Sequence, residues 1–422
     1  MRMIVTPFIA LALFARPSLA LQSIDTFLGS AHQRNPQELE ALANATQQKA
    51  EALGAVGRVL PRVALDGSYT RNQYSASADL GGHPVTLVPD HVWQGSAAVT
   101  VPLIDLAGLR RIGAAKAAAA AAAHQSDAVW LQVQSEVVQD YFQLVANLAL
   151  VAASRTALDV SKEGLRLAEA RRQAGSAASL DVDRAKADVE QQFQQVAAAE
   201  LQVKLVARAL ESASGVEPDV SEGVLAIDDL HPEGELSTFI YDARSLPPVA
   251  AAAASTKAAE DEATARRLAL APVIAGSFTE SGTTAPGFIG HDWSYSAALT
   301  ATWTFDLTRI ADIQSQDAAV QAARAREESA RLAALDAIHR EWNTVFAGIA
   351  RSRSARAGRE AAVHAAQTAL DRYRAGAIAQ IDLLQAQRDA FNAEVTRIQA
   401  DADLINARAQ LRLSAGRAPL GG

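Results

Sequence analysis

Apolar and polar side chains alternate strictly over residues 293–305. The even positions carry serine, threonine or alanine, whereas the odd positions are apolar and include five large side chains: Trp293, Tyr295, Leu299, Trp303 and Phe305. A period of two residues predicts a β-strand with one apolar face. The aromatic ends, Tyr295 and Trp303, are about 26 Å apart at roughly 3.3 Å per residue. That distance matches the apolar band of an outer-membrane β-barrel strand, roughly 25 Å tall and bordered by aromatic residues.

The first half of the chain carries a weaker version of this strand at residues 93–103. Each strand is preceded by a second candidate, at 63–72 and at 273–279, which predicts two hairpins with polar loops around 75–91 and 280–292. A half-buried sheet in a soluble protein would show the same alternation. If the strands lie in lipid, four of them cannot close a barrel, and a bilayer does not tolerate open strand edges. Several copies of the chain would then share one barrel.

Two proline-free stretches predict very long helices. Proline is absent between residues 102 and 218 and again between 286 and 419. Helices at 107–174 and 308–375 would each be about 100 Å long at roughly 1.5 Å per residue, and each would end at an Ala-Gly pair that includes Gly175 or Gly376.

Heptad-like spacing on these helices predicts packing in coiled-coil fashion, although an ordinary antiparallel helical hairpin would give the same seam. The first helix supplies Val137, Tyr141, Leu144, Leu148, Val151, Leu158 and Leu165, with Arg155 and Lys162 completing the series. The second helix supplies Ile338, Trp342, Val345 and Ile349, with Arg356 matching Arg155.

The chain is an internal duplication. Equivalent residues lie 201 positions apart in four pairs: Asp105 and Asp306, Gly175 and Gly376, Asp181 and Asp382, Gly215 and Gly416. The predicted organisation is a signal peptide at 1–20, a first repeat at 21–215, an acidic linker at 216–247 that is expected to be a solvated connector, a second repeat at 248–416 and a tail at 417–422. Each repeat would contain a short helix, a β-hairpin and a long helical hairpin.

Composition narrows the class of protein. The 422 residues are 49% hydrophobic but only 5% aromatic, which favours closely packed, alanine-rich helices over compact cores. A net charge of −8 without a basic stripe argues against nucleic acid as a partner. Export is predicted from Arg2, the apolar run 4–15 and the small residues Ser18 and Ala20 of a cleavage site. The absence of cysteine excludes zinc–thiolate sites, cysteine nucleophiles and a lipid anchor on cysteine.

Catalytic motifs are missing from the sequence. The eight histidines show no metal-ligand spacing, and a pair such as His83 and His91 lies in a predicted surface loop. There is no phosphate-binding loop and no nucleophile elbow. The sequence predicts neither an enzyme nor a cofactor or metal site.

Several motifs resemble those of the TolC-type outer membrane efflux proteins. They are Asn35-Pro36 opening a helix, Pro247-Pro248 opening its repeat equivalent, Arg-Tyr-Arg-Ala-Gly at 372–376, and Ile-Asp-Leu-Leu-Gln-Ala-Gln at 381–387. The similarity extends over nearly the whole mature chain. The stretch from Arg372 to Leu384 is its most specific part.

The resemblance implies a mainly α-helical protein with a membrane β-barrel portion. Long helical hairpins would form an α-barrel, and four strands per chain would form a trimeric, twelve-stranded β-barrel. The chain would be the channel-tunnel subunit of a tripartite efflux or type I secretion system, located in the outer membrane and extending into the periplasm. A periplasmic adaptor and an inner-membrane pump would be its partners, and substrates would pass without chemical change.

The same resemblance places a constriction at the helix turns, residues 175–183 and 376–385. Asp382, repeated by symmetry, would form an acidic ring, with Asp181 and Asp183 on the neighbouring turn. Gln385 stands where some relatives have a second acidic residue, and Tyr373 matches a position that helps hold the turns closed. An Asp in the first turn of a helix is also favoured simply by the helix dipole, by roughly 0.3–1 kcal/mol.

A different class of protein remains possible from the sequence alone. A periplasmic coiled-coil scaffold or adaptor without a pore would also contain long helical hairpins. Adaptors usually carry one hairpin inserted into a β-rich domain, whereas this chain has two equal copies, each led by an alternating strand.

Overall fold

A computed structural model describes residues 21–80, 83–220, 228–240, 243–286 and 291–419, with the side chains of 79–80 and 83–85 left out. The predicted signal peptide lies outside these residues. The elements in chain order are α1 Ile24–Arg34, α2 Pro36–Gly57, β1 Arg62–Arg71, β2 Ala76–Leu80, β3 His83–Val88, β4 His91–Ile104, α3 Leu106–Gln173, α4 Ser179–Ser214, α5 Leu236–Ile240, α6 Pro247–Leu268, β5 Val273–Thr283, β6 Trp293–Thr302, α7 Leu307–Arg374 and α8 Gln380–Ser414.

The two halves share one order of elements. The series α2, β1, β4, α3, α4 recurs as α6, β5, β6, α7, α8. Helices α3 and α7 have 68 residues each and lie within one residue of the predicted bounds. The first half differs by the additional hairpin β2–β3, in a segment for which the sequence predicted only a loop.

The chain forms two compact units. Unit 1 comprises Met1–Leu39, Val129–Asp242 and Leu335–Gly422, and unit 2 comprises Glu40–Ala128 and Ala243–Ala334. The six strands of the described residues all belong to unit 2, whereas the turns that connect α3 with α4 and α7 with α8 belong to unit 1.

In unit 2, four antiparallel strands form a sheet in the order β1-β4-β5-β6. Within the described residues, β1 and β6 are edge strands that each pair on one side only. The sheet therefore has two open edges.

The two faces of this sheet differ in polarity. On one face the register places Tyr69 beside Trp93 and Glu280 beside Tyr295. The other face is lined by small hydroxyl side chains, as in the row Ser96, Ser281 and Ser294. We call the first the apolar face and the second the polar face of the sheet.

Two strand boundaries differ from the sequence prediction. Strand β6 ends at Thr302, so Trp303 and Phe305 lie beyond it; the Trp303 indole Nε1 donates to the Leu270 carbonyl at 2.9 Å. Strand β5 continues to Thr283, past Glu280, where a loop was predicted. The ladder to β6 satisfies the backbone groups of this extension and outweighs the preference of a charged residue for a loop.

In unit 1 the apolar core joins α1, α3, α4 and α8 and includes Phe27, Leu144 and Leu210, all fully buried. The predicted helix seam is wrong at two positions, because Ser154 and Ser161 are buried where Arg155 and Lys162 were expected. Small hydroxyl side chains fit close helix packing, whereas the two charged ones reach solvent.

The same shift occurs on α7. Ile338 and Val345 are buried as predicted, and the next seam position is Gly348, not Ile349. A Cβ at Gly348 would lie 3.2 Å from Leu404 Cδ1 of α8, so a larger residue there would require the Leu404 side chain to shift.

The acidic linker is more than the solvated connector expected from its composition. Arg408 of α8 is 5% exposed and donates through Nε to Asp228 at 2.7 Å and through Nη2 to the His231 carbonyl at 2.7 Å. Its Nη1 also contacts Glu233. A buried guanidinium requires such partners, which explains why the acidic segment is held against the helix.

Candidate functional site

Two features correspond to the predicted sites. One is the pair of turns that end α3 and α7, residues 174–178 and 375–379, which we call the tip turns; Arg171 and Tyr373 lie in the helical turn before them, and Asp181 and Asp382 in the helical turn after them. The other is the apolar face of the sheet in unit 2.

The tip turns share one backbone motif. Gly175 and Gly376 have φ of 73° and 77°, a left-handed conformation that favours glycine. In the first turn the Ser176 N–H donates to the Arg171 carbonyl at 2.9 Å, and in the second the Ala377 N–H donates to the Arg372 carbonyl at 2.8 Å. These bonds close a Schellman motif at the end of each long helix. Each glycine therefore has a structural role in ending its helix.

Asp181 and Asp382 each occupy the third position of the helix after a tip turn. The Ala178 N–H donates to Asp181 Oδ2 at 3.4 Å, and the Ala379 N–H donates to Asp382 Oδ2 at 3.3 Å. Both carboxylates thus help to start a helix. Their surroundings differ, because Asp181 also lies 3.8 Å from the Arg184 guanidinium, whereas Asp382 is exposed and has no ion pair in the described part of the chain.

Tyr373 connects the two tip turns. Its side chain is 3% exposed, and the Arg171 guanidinium lies 4.6 Å from its ring centroid. Arg171 Nη1 also donates to the Tyr373 carbonyl at 2.7 Å, and the phenol donates to Gln380 Oε1 at 3.4 Å. Burial raises the pKa of Tyr373, partly opposed by Arg171, while the charge of Asp181 acts in the same direction as burial. The phenol therefore stays neutral and its hydrogen-bond partner is Gln380.

Asp183 and Gln385, the remaining predicted tip residues, are both exposed on the second turns of α4 and α8. The Gln385 amide donates to Asp389 Oδ1 at 2.9 Å. An acidic group is thus present one helical turn beyond Gln385, although position 385 itself is neutral. Sequence comparison with the family motif alone did not single out Asp389.

Sequence reasoning missed an ion pair near the tip turns. Asp188 of α4 is buried and accepts from Arg388 of α8, through Nη2 at 3.0 Å and Nε at 3.2 Å. Arg388 also donates to Gln191 at 3.1 Å. An aspartate on the buried face of an alanine-rich helix requires a cationic partner, and this was the available signal in the sequence.

One group of potential metal ligands occurs among the described residues. Ligand atoms of Asp228, Asp229 and His231 lie within 4.8 Å of one another. Both carboxylate oxygens of Asp228 accept from Arg408, at 2.7 and 3.1 Å. Because this guanidinium already supplies the positive charge, the cluster gives no support for a metal site.

The apolar face presents large side chains to the surroundings. Trp293, Tyr295 and Leu299 of β6 are 70%, 77% and 72% exposed. A water-soluble protein rarely exposes such a contiguous apolar surface. Together with the open edges, this surface requires a partner or a lipid environment.

Comparison with known proteins gives a consistent result. The profile of the outer membrane efflux protein family matches residues 27–216 and 243–417. No sequence among curated proteins matched the chain. Three solved structures with the same fold are the outer-membrane channel OprN (22% identity, 94% of this chain and 90% of that chain, TM-score 0.81), the Campylobacter jejuni CmeC outer membrane channel (17%, 94% and 86%, 0.82) and VceC of Vibrio cholerae (18%, 94% and 97%, 0.79).

The fold and the family agree with the expectation from the sequence motifs. The structural matches are channels built from an α-barrel and a β-barrel, which confirms the predicted mainly α-helical fold with a β-barrel portion. The family match covers both repeats and places the protein in the outer membrane with a periplasmic extension. The chain belongs to the outer membrane efflux protein family, the outer membrane channels of tripartite efflux systems.

Proposed function

We propose that three copies of the chain assemble into one channel, with a twelve-stranded β-barrel in the outer membrane and an α-helical tunnel in the periplasm. The observation that carries this proposal is the four-stranded sheet with two open edges and an exposed apolar face. The count of three rests on the family resemblance, and the need for several copies rests on the edges.

The sheet supports this assembly physically. Each unpaired backbone group of an open strand edge costs several kcal/mol in lipid, whereas pairing β6 of one copy with β1 of the next satisfies both edges. Closing the sheet with the apolar face outward places the serine and threonine side chains of the polar face around a water-filled lumen. A periplasmic scaffold without a pore would instead leave the apolar face in water.

The channel acts as a passive duct for substrates delivered by an inner-membrane pump through a periplasmic adaptor. We assign no chemical step to the chain. The polar groups of the tip turns have structural partners: Asp181 and Asp382 start helices, and Tyr373 contacts Arg171 and Gln380. Transport then depends on opening the duct and not on catalysis.

The tip turns form the constriction of the duct in this proposal. Asp382 is exposed and lacks a cationic partner within the described residues, so three copies would form an acidic ring. Carboxylate rings attract cations and repel anions. The contact between Arg171 and Tyr373 joins the two tip turns of one copy, and opening would have to separate them.

Single-channel recording in planar lipid bilayers tests the proposal. Asp382→Ala should raise the conductance and weaken cation preference, because the ring loses its charge. Asp181→Ala is the matched control. It removes the same kind of helix-start hydrogen bond, but the charge of this carboxylate is already paired with the Arg184 guanidinium. Equal conductance and selectivity in wild type and D382A would leave Asp382 only its helix-start role. A wild-type protein that passes no current would refute the channel itself.

A further inference from the structure

One corner of the sheet carries basic side chains just beyond the aromatic residues of the apolar face. The last residue of β1, Arg71, pairs with the first residue of β4, His91, and the next outward-facing pair along the strands is Tyr69 with Trp93. Because side chains alternate along a strand, all four project from the apolar face. The basic pair lies about 7 Å beyond the aromatic pair, at roughly 3.3 Å per residue.

The contacts at this corner orient the His91 ring. Tyr69 Oη lies 2.7 Å from His91 Nδ1, and the two rings stack with centroids 5.9 Å apart. With the phenol donating to Nδ1, the other ring nitrogen, Nε2, carries the proton and is a donor. Tyr69 packs in turn against Trp93, with centroids 4.7 Å apart.

Arg71 is available to a ligand. It is exposed, and within the described residues the structure records no ion pair or hydrogen bond for its side chain. Glu280 is the one acidic residue on the apolar face of the described strands, and it pairs with Ala97, six residues along β4 from His91. That separation is about 20 Å along the strand, well beyond the roughly 8–10 Å over which exposed charges interact in physiological salt. Asp90, which directly precedes His91, is also exposed at this end of β4, but no ion pair joins it to Arg71 within the described residues. The Arg71 guanidinium thus has no recorded carboxylate partner.

In the proposed channel this corner lies in the outer leaflet. The opposite ends of β1 and β4 lead into helices α2 and α3, which lie toward the periplasm in this family. Aromatic residues on a lipid-facing strand mark the border between the apolar core and the headgroups. A guanidinium and an imidazole donor placed one step beyond that border face the headgroup region.

We propose that Arg71 and His91 bind the phosphate of an anionic lipid in the outer leaflet, one lipid for each copy of the chain. The guanidinium donates two parallel hydrogen bonds to phosphate oxygens, and His91 Nε2 donates a third. The acyl chains lie along Tyr69, Trp93 and the apolar strand below them. This inference rests on the proposed function, because it requires the apolar face to contact lipid.

Native mass spectrometry of the assembled protein in detergent tests the inference. The probes are phosphatidylglycerol, which is anionic, and phosphatidylcholine, which is neutral overall. Wild type should retain phosphatidylglycerol in preference, and Arg71→Gln combined with His91→Gln should weaken that retention roughly fivefold or more. Arg71→Gln alone serves if the double variant does not assemble. Arg62→Gln is the matched control, because Arg62 lies on the same strand but at its other end and on the polar face.

The outcomes separate this inference from the channel proposal. Equal retention of both lipids by wild type, unchanged retention in R71Q/H91Q, or an equal loss in R62Q would each overturn the lipid site. Displacement of phosphatidylglycerol by millimolar inorganic phosphate would assign the corner to a soluble anion and also overturn it. The conductance of wild type and R71Q/H91Q in phosphatidylcholine bilayers should be the same. If both conduct, the channel proposal stands whatever the lipid result.

Discussion

At the scale of single residues, equivalent positions in the two repeats have different surroundings. Arg155 is exposed and pairs with Glu200, whereas Arg356, 201 positions later, donates to the fully buried Asp401 at 2.9 Å. Asp401 also accepts from Arg397 at 2.9 Å and from Ser352. A sequence offset identifies which positions correspond, but it does not show which of them is buried with a charge.

One pair of equivalent carboxylates does share an environment. Burial raises the pKa of Asp140 to about 6, with a further contribution from the charge of Glu136. Burial also raises the pKa of Glu341, its equivalent on α7, while Arg340 opposes that shift. Both lie in the helix seam, between Val137 and Leu144 or between the corresponding residues of α7.

We expect Asp140→Asn to stabilise the protein at neutral pH by on the order of 1 kcal/mol, after discounting the shift for the half-exposed side chain. The folded-state pKa lies above the unfolded value of 3.8, so the folded state binds the proton more tightly. Wild type should therefore gain stability as the pH falls from about 7 toward about 4, and the advantage of D140N should disappear there. Thermal melting followed by circular dichroism across this range measures the effect.

The exposed Asp159 provides the control for this measurement, because it lies on the same helix at 79% side-chain exposure. Asp159→Asn should melt in parallel with wild type at every pH. A constant difference between D140N and wild type from about pH 7 to about pH 4 would show that the Asp140 carboxylate does not titrate in the seam.

At the scale of elements, the regular pattern of the sequence was sufficient for the long helices and the four barrel strands. Proline-free runs that end at Gly175 and Gly376 predicted α3 and α7 to within one residue, because only a residue tolerant of positive φ ends each helix. The hairpin β2–β3 was missed. Its strands have only five and six residues and no sustained alternation.

The tip residues show a similar limit. The family motif indicated Asp382 and Tyr373, and the repeat offset indicated Asp181. Neither the motif nor the offset indicated the partners of these residues. Arg171 and Tyr373 lie on different repeats and meet only when the two helical hairpins pack side by side. Asp188 and Arg388 were missed for the same reason.

Strand β6 provides a test of which face contacts lipid. Leu299 projects from the apolar face, and Ala298 beside it projects from the polar face. We expect Leu299→Lys to cost about 2–4 kcal/mol per chain if it lies at the bilayer midplane. Assembled protein in outer-membrane fractions should then be depleted. Ala298→Lys should assemble normally, because its ammonium group would lie in the aqueous lumen.

Heat-modifiable migration on gels, applied to both lysine variants, measures assembly directly. Depletion of A298K with normal assembly of L299K would mean that the two faces are assigned the wrong way round. Normal assembly of both variants would mean that β6 does not lie in the membrane.

At the scale of the whole molecule, the duplication means that three copies would supply six helical hairpins of two alternating kinds. The kinds differ at the tip turns. Tyr373 stands on the second repeat, and the equivalent position on the first repeat is Arg172. Of the two equivalent positions, only the one at the end of α7 therefore has an aromatic ring, and Arg171 at the end of α3 packs against it. Contacts within a copy and between copies would consequently differ, and the two kinds of contact could open separately.

The assembly itself can be tested by disulfide formation, because the chain has no cysteine of its own. Ala64 of β1 and Ala298 of β6 both project from the polar face, and two strands separate them in one copy. Three strand spacings amount to about 14 Å, whereas a disulfide requires Cα atoms within about 7 Å.

Ala64→Cys combined with cysteine at Ser296, Ala298 or Thr300 in turn should form disulfides only between copies. Non-reducing gels should show covalent dimers and trimers for the variant in the correct register. Ala64→Cys alone should remain monomeric, because its three symmetry-related copies lie far apart around the barrel. Monomers for all three double variants would mean that β6 and β1 of neighbouring copies do not pair, and the shared barrel would be wrong.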